Sequence, residues 1–336
     1  MVSFREVSSI EDKIIEEFQK MAENPKKEKV RIESSPEVER FAKMLFEDEN
    51  WSILYNIIRS GLENPIIVPN YDIRPEDVEG YVRRLFEGEY DCALKYMTRL
   101  KTQLSLIDEG KQRQIFEKLR RFMNERILHP LPEVLKICSS DICRSKKKEF
   151  RIEEDDARET CEYCGSRILK VYKCTLNDYI KKSIYNNQFL EIYTKECLKE
   201  AGLKLVYILT EDNRKLSTSI TYVPWPSRRV EIDVAAVKGS YIVICECKTT
   251  KITQNTVDEK FPKVETLISR IQDNLKEKIE VYYFFLTIDV VDPNLKVARE
   301  TYTYGKEWLA GLRFVEGKEI TNLVDIFKKQ FEGVGR

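Results

Sequence analysis

The sequence carries no net charge: 57 Lys and Arg are matched by 57 Asp and Glu over 336 residues. A protein that coats nucleic acid without selection is ordinarily basic overall, so the balance argues against that role. It leaves room for a local basic groove, because steering follows charge distribution as well as the total. No apolar run approaches the length of a membrane span. The first residues, MVSFREVSSIEDK, lack the basic and apolar regions of a signal peptide. Neither an internal repeat nor a low-complexity linker is present. On these absences the chain is expected to be cytoplasmic, with no membrane partner. In that reducing compartment its nine cysteines read as core residues or metal ligands rather than disulfides.

What is present is a globular composition. At 42% hydrophobic and 34% charged residues, the chain has enough apolar material for true cores, and its length suits two or three domains. Residues 1–135 read as a mostly α-helical domain. EDKIIEEFQKMAEN, PEVERFAKMLF, PEDVEGYVRRLF and RQIFEKLRRFMNERIL all show helical spacing. In the last, Ile115, Phe116, Leu119, Phe122, Met123 and Ile127 form an apolar stripe. Arg113, Lys118, Arg120, Arg121 and Arg126 lie mostly away from it. Such a charged face is ordinarily solvated, and phosphate is the other partner it can meet. Pro130 and Pro132 end the helix. No glycine-rich phosphate loop occurs in this part.

Residues 136–175 change character. A basic knot (Arg144, Lys146, Lys147, Lys148) is followed by an acidic one (Glu153, Glu154, Asp155, Asp156), with little apolar material to form a core. Two cysteine pairs, Cys138-x4-Cys143 and Cys161-x2-Cys164, lie in the same stretch. Two such knuckles supply the four thiolates of a structural Zn²⁺ site, and Gly165 follows where a knuckle needs tight backbone. CEYCG resembles a zinc-ribbon knuckle. Cys174 is an alternative ligand, and His129 a more distant one. Metal binding would supply the folding free energy that this segment lacks.

From 176 to 336 helices and strands alternate around hydrophobic runs, which predicts an α/β domain. NNQFLEIYTKECLKEAGL reads as a helix closing at Gly202, LKLVYILT as strand, and EVYYFFLTIDV as a buried strand. A helix is expected after a capping box at Thr256 and Glu259, and TNLVDIFKKQFEGV reads as a final helix. Between them lies EIDVAAVKGSYIVICECK, two apolar runs flanking Gly239-Ser240. That dipeptide suits a two-residue type II′ turn and pairs Lys238 with Tyr241. Counting outward puts Asp233 opposite Glu246, with Cβ atoms roughly 5 Å apart, and Lys248 on the same face. Ile232, Val234, Val243, Cys245 and Cys247 fall on the other face and read as core. Like charges directly opposite are destabilising unless a cation sits between them, and oxygen ligands suit Mg²⁺ or Mn²⁺.

Asp-x12-Glu-x-Lys across a hairpin resembles the PD-(D/E)XK, or restriction-endonuclease-like, nuclease superfamily. The resemblance covers roughly residues 180–290. It implies a restriction-endonuclease-like α/β domain that hydrolyses phosphodiester bonds, with DNA favoured over RNA. Asp233, Glu246 and the backbone carbonyl of Cys247 would bind Mg²⁺ or Mn²⁺. Lys248 would orient the attacking water or stabilise developing charge. In that family a preceding helix supplies another acid, and FLE in NNQFLEIYTKE matches it at Glu191. The family's leading Pro-Asp is absent, since Ile232 precedes Asp233.

On this reading the helical part and the zinc ribbon grip, select or recruit. Arg228, Arg229, Lys146, Lys147, Lys148 and Lys263 are candidate phosphate contacts that position the backbone without reading bases. A homodimer, or a protein partner held by the N-terminal part, is the further association considered. The competing reading is an inactive nuclease-fold zinc-ribbon adaptor that binds nucleic acid or protein. A third, a sensor-effector with an N-terminal α/β ligand domain, finds no support in the helical patterning there.

Overall fold

The structure, a computed structural model, describes residues 9–21, 35–62, 65–69, 109–138, 140, 159–209, 215–216, 220–222 and 230–332. PEDVEGYVRRLF, Arg144, Cys143, Lys146–Lys148, the acidic knot at 153–156, Arg228 and Arg229 lie outside these residues. The chain divides into two compact units, one made of Met1–Glu49 with Asn186–Arg336 and the other of Asn50–Tyr185. The sequence predicts boundaries near 135 and 175 instead. The difference arises at the first two helices, α1 (Ile10–Met21) and α2 (Pro36–Phe46). Their apolar faces find partners far along the chain. Ile14, Ile15 and Phe18 of α1 join the core formed by the later sheet. Phe41 and Phe46 of α2 stack against Phe189 and Tyr193. Full burial of each such side chain contributes about 1.5–3 kcal/mol, which outweighs proximity in sequence.

The unit Asn50–Tyr185 holds α3 (Trp51–Ser60), β1 (Ile66–Pro69), α4 (Glu109–Asn124), β2 (Leu128–Cys138), β3 (Ile168–Leu176) and α5 (Asp178–Tyr185). Its three strands form an antiparallel sheet in the order β1-β3-β2, so this part is not purely helical as the spacing suggests. Ile115, Phe116, Leu119 and Phe122 of α4 are buried, as the stripe requires. Pro130 and Pro132 do not end that helix: it stops at Asn124, ahead of a reversal at Arg126, and both prolines lie inside the 11-residue strand that follows. The β2–β3 ladder is irregular between Pro130 and Val134, where a proline without an N–H cannot hold a regular pair.

The other unit continues with α6 (Phe189–Glu200) and β4 (Lys204–Leu205). Two short ladders follow, β5 (Ile208–Leu209) with β6 (Lys215–Leu216) and β7 (Ile220–Tyr222) with β8 (Val230–Ile232). Then come β9 (Val234–Lys238), β10 (Tyr241–Lys248), α7 (Gln254–Leu275) and β11 (Glu280–Thr287). The chain closes with α8 (Pro293–Val297), α9 (Arg299–Thr303), β12 (Leu309–Glu316), a 3₁₀ turn at Gly317–Asn322 and α10 (Leu323–Gln330). Five strands make one mixed sheet in the order β12-β11-β10-β9-β4. β10 pairs antiparallel with β9 and parallel with β11, and β11 pairs parallel with β12.

Helices cover both faces of that sheet. Ala235, Val237, Ile242, Ile244, Tyr283 and Phe285 pack with α1 and with Val257, Phe261, Val264, Leu267, Ile268 and Ile271 of α7. On the opposite face Phe284 meets Phe327 of α10 edge-on at 5.1 Å, and Thr194 of α6 touches the Cys247 sulfur at 3.6 Å. A strand buried on both sides reads as an unbroken apolar run rather than an alternation, and Ile242 through Cys247 are all buried. Helix α7 begins slightly earlier than expected. Its cap is Thr253, which exchanges hydrogen bonds with Thr256, while Glu259 pairs with Lys263 at 2.8 Å. Among the described residues no helix is long and apolar enough to cross a membrane.

Candidate functional site

The turn sets the site. Gly239 takes φ +58° while Ser240 stays out of the left-handed region, as a type II′ turn requires. The Gly239 N–H donates to Glu11 Oε1 of α1 at 2.8 Å, which anchors the turn. From there the ladder runs Lys238–Tyr241, Val237–Ile242, Ala236–Val243, Ala235–Ile244 and Val234–Cys245. The ladder ends there, one step short of the Asp233–Glu246 pair that the turn predicts. Asp233 sits at a bend where β9 begins, and its Oδ2 accepts the Cys247 N–H at 2.7 Å. Asp233 therefore ties itself to the residue whose carbonyl the resemblance assigns to a metal.

Asp233, Glu246 and Glu191 are all buried, at 5%, 2% and 5% exposure. Glu191 comes from the first turn of α6, a helix buried almost all round: Phe189, Leu190, Ile192, Tyr193, Thr194, Lys195, Cys197 and Leu198 are buried too. The same helix start is tied to the end of β10, since Thr249 Oγ1 donates to Asn187 Oδ1 at 3.1 Å. Thr287 Oγ1 donates to the Thr250 carbonyl at 2.7 Å and pins the loop that follows. The acids thus gather at the carboxyl end of β10, where its neighbours are antiparallel on one side and parallel on the other. In open α/β sheets the crevice outside the carboxyl ends is where ligands bind.

The electrostatics are lopsided. Burial, then repulsion from Glu246 and Glu191, pushes the Asp233 carboxyl well above the usual carboxylate range, against the pull of Lys248 and the Cys247 N–H. Glu246 has cationic neighbours: its Oε1 lies 2.6 Å from Lys248 Nζ and 3.0 Å from Lys260 Nζ. Both ammonium groups thus converge on this one buried oxygen.

Lys260 is absent from the residues that the sequence singles out, although a signal exists. It falls three residues after Val257 and four before Val264, a position on the apolar stripe of α7, and its side chain is only 13% exposed. A lysine on a buried stripe needs a partner, and the partner is Glu246. The hairpin's charges also do not occupy a solvated face, as an apolar-in, charged-out hairpin would suggest, because α6 and α7 cover both sides.

These donors suit a divalent cation in kind: oxygen ligands from buried carboxyls that repel one another. In their present placement, among the described residues, no three His, Cys, Asp or Glu side chains are gathered to hold a metal ion. Glu246 is turned toward its two lysines.

No protein-family model matches the chain, and no curated protein matches it. Among solved structures it is similar to protein VC1899 from Vibrio cholerae, at 14% identity and a TM-score of 0.41, over 89% of this chain and 57% of that one. The chain spans a little over half the length of that protein, and so low a score carries no statement about fold or activity.

The cysteine cluster is described in part. CEYCG forms a tight turn in which the Gly165 N–H donates to the Cys161 carbonyl at 2.8 Å and Gly165 takes φ +67°. The Cys161 N–H donates to the Ser166 carbonyl at 2.7 Å, and Thr160 bridges Arg167. Cys161 is buried and Cys164 exposed. Cys138 ends β2, its side chain outside the described residues, as is all of Cys143. The alternative ligands fare badly. Cys174 is buried beside the Met123 sulfur, and burial pushes its thiol up to about 12, which disfavours the thiolate a metal needs. His129 is exposed on β2, opposite Thr175. Of the candidate phosphate contacts, Lys263 is described and is paired with Glu259 on α7.

Proposed function

We propose that the unit bearing β9 and β10 is a divalent-metal-dependent nuclease of the restriction-endonuclease-like, PD-(D/E)XK type, acting on phosphodiester bonds with DNA favoured over RNA. One observation carries the reading. Asp233 is buried at the end of the hairpin with its Oδ2 on the Cys247 N–H, and Glu246, Glu191 and Lys248 are close enough to act on it electrostatically. The order α6-β9-β10-α7-β11, with its mixed sheet, supports it.

Asp233, Glu246 and the Cys247 carbonyl would hold Mg²⁺ or Mn²⁺, with Glu191 beside them. The bound ion would polarise the phosphoryl oxygen and lower the pKa of an attacking water. The chain's own residues supply the rest. Lys248, one-third exposed at the mouth of the cluster, stands where its ammonium can orient water or offset charge that develops on the phosphate. The Cys247 N–H fixes the Asp233 carboxylate. Lys260 holds Glu246 from the α7 side, a role outside the residues that the resemblance names. In hydrolysis a bond from water oxygen to phosphorus forms and one ester P–O bond breaks, and the water proton leaves to solvent or to a carboxylate.

The second reading is a nuclease-fold adaptor that binds without cutting. The clamp of Lys248 and Lys260 on Glu246 favours it, because it competes with a metal for the same oxygen. One experiment separates the two. The full chain is incubated with labelled single-stranded, double-stranded and branched DNA, and with RNA, in Mg²⁺ or Mn²⁺, while Mn²⁺-induced thermal stabilisation is recorded in parallel. Cleavage should fall about 10²–10³-fold in Lys248→Ala, with Mn²⁺ stabilisation retained. Undiminished cleavage would remove Lys248 from the site. Binding with neither cleavage nor a metal response would establish the adaptor.

The cysteine cluster is a structural Zn²⁺ site in this proposal, closed by Cys138, Cys143, Cys161 and Cys164. Metal analysis of the purified chain should find about one zinc per molecule, absent from Cys161→Ser. Zinc content unchanged by that substitution would dismiss the site.

A further inference from the structure

Among its described residues the unit Asn50–Tyr185 runs α3, β1, α4, β2, β3, α5, and the short β1 pairs with β3 on the edge away from β2. That sheet order, with a helix leading directly into the antiparallel pair, is the one a winged helix uses, where the helix before the hairpin is presented outward and the hairpin forms the wing. α4 holds that position. Its buried stripe packs inward, and a tight reversal follows: the Ile127 N–H donates to the Phe122 carbonyl at 2.9 Å, and Arg126 takes φ +58°. The chain passes straight into β2, which stays paired with β3 out to Cys138–Ile168.

The outward face of α4 is basic on balance. The helix holds five Lys or Arg against two Glu. Lys111, Arg113 and Arg121 are exposed, and Lys118 and Arg120 half-buried. Exposed Glu117 lies between Arg113 and Arg121, and Arg121 is 3.9 Å from Glu125, so the outward side keeps a surplus of positive charge, not a purely basic surface; in a chain of zero net charge such local distribution is what steers a polyanion. An exposed helix with basic side chains fits the major groove of B-form DNA, about 12 Å wide, while phosphates meet the flanking residues. The deep, narrow major groove of A-form RNA does not admit it.

We infer that this unit is a duplex-DNA-binding module, with α4 entering the major groove and the β2–β3 hairpin lying against the backbone. The inference stands on the unit's own topology and charge and does not depend on the nuclease reading. A chain that binds duplex through α4 yet cuts nothing keeps this proposal and loses that one. A chain that cuts while its affinity ignores α4 does the reverse.

The test uses the full chain in chelator, so that no cleavage occurs, with labelled duplex DNA, the corresponding single strand and the corresponding RNA duplex. Duplex DNA should bind tightest. Arg113→Glu combined with Arg121→Glu should weaken it at least tenfold near 0.1 M salt. The same pair should flatten the dependence on salt by about one unit for each phosphate that the helix no longer neutralises. Arg113→Gln alone should give a smaller effect in the same direction. Melting temperature and circular dichroism report that the variants are folded. Absence of duplex binding, equal binding of RNA duplex, or folded variants that bind like the parent would each overturn the inference.

Discussion

Asp233→Asn is expected to make the metal-free chain more stable while abolishing cleavage. Asp233 is 5% exposed, and its negative charge is opposed by burial and by Glu246 and Glu191. Asparagine keeps an oxygen that can accept the Cys247 N–H and removes the charge. The gain depends on pH in a defined way. A carboxyl whose folded pKa is raised holds its proton more tightly when folded than when unfolded. Stability therefore falls as pH rises from about 4, the unfolded value, through the folded pKa. An amide has no such loss. Melting temperatures of the two proteins should converge near pH 4 and separate as pH rises, by about 3–6 °C at neutral pH if 1–2 kcal/mol of repulsion is relieved. Added Mn²⁺ should stabilise the parent and leave the variant unmoved. A variant less stable than its parent at pH 7 would show that the acids do not repel in solution. This opposition of stability and activity is common where a site must hold like charges together.

The hairpin is legible in the sequence because its constraint is local. Gly239-Ser240 fixes the turn, the turn fixes the register, and the register fixes each cross-strand neighbour down to Val234 and Cys245, where the bend at Asp233 ends the ladder. Helix α2 is equally plain: Ser35 caps it, Pro36 opens it, and its bounds match the periodic stretch. β1, β2 and β3 are not legible. β2 includes Pro130 and Pro132, which in sequence signal only the end of a helix, and its existence rests on pairing with β3 some forty residues later. The same holds for α1 and α2, whose faces close on partners well over a hundred residues away. No local pattern specifies such a partner.

Within the site, sequence identifies the acids and Lys248 but does not say what covers the charged face of the hairpin. Its continuous apolar run already points to burial on both faces, and α6 and α7 supply the covers. Lys260 follows from the same logic: a cation on the stripe of α7 could only be there to meet an anion beneath it.

That pairing gives the second large effect. Glu246→Ala should destabilise the chain by about 3 kcal/mol, opposite in sign to Asp233→Asn although the two carboxyls belong to one buried cluster. Glu246 is 2% exposed and lies against two ammonium groups. Without it, Lys248 can turn to solvent, being one-third exposed, whereas Lys260 at 13% exposure stays largely confined. The cost is that of an uncompensated charge held in place, and it should therefore be recovered by removing that charge. Lys260→Met in the Glu246→Ala background should restore most of the stability, because methionine fills the stripe position of α7 with an apolar side chain of similar length. Urea unfolding of the three proteins at neutral pH measures both steps. A Glu246→Ala chain as stable as its parent would mean that Lys260 does not hold Glu246 in solution. Glu246 would then belong with Asp233 among the repelling charges, available to a metal without displacing any lysine.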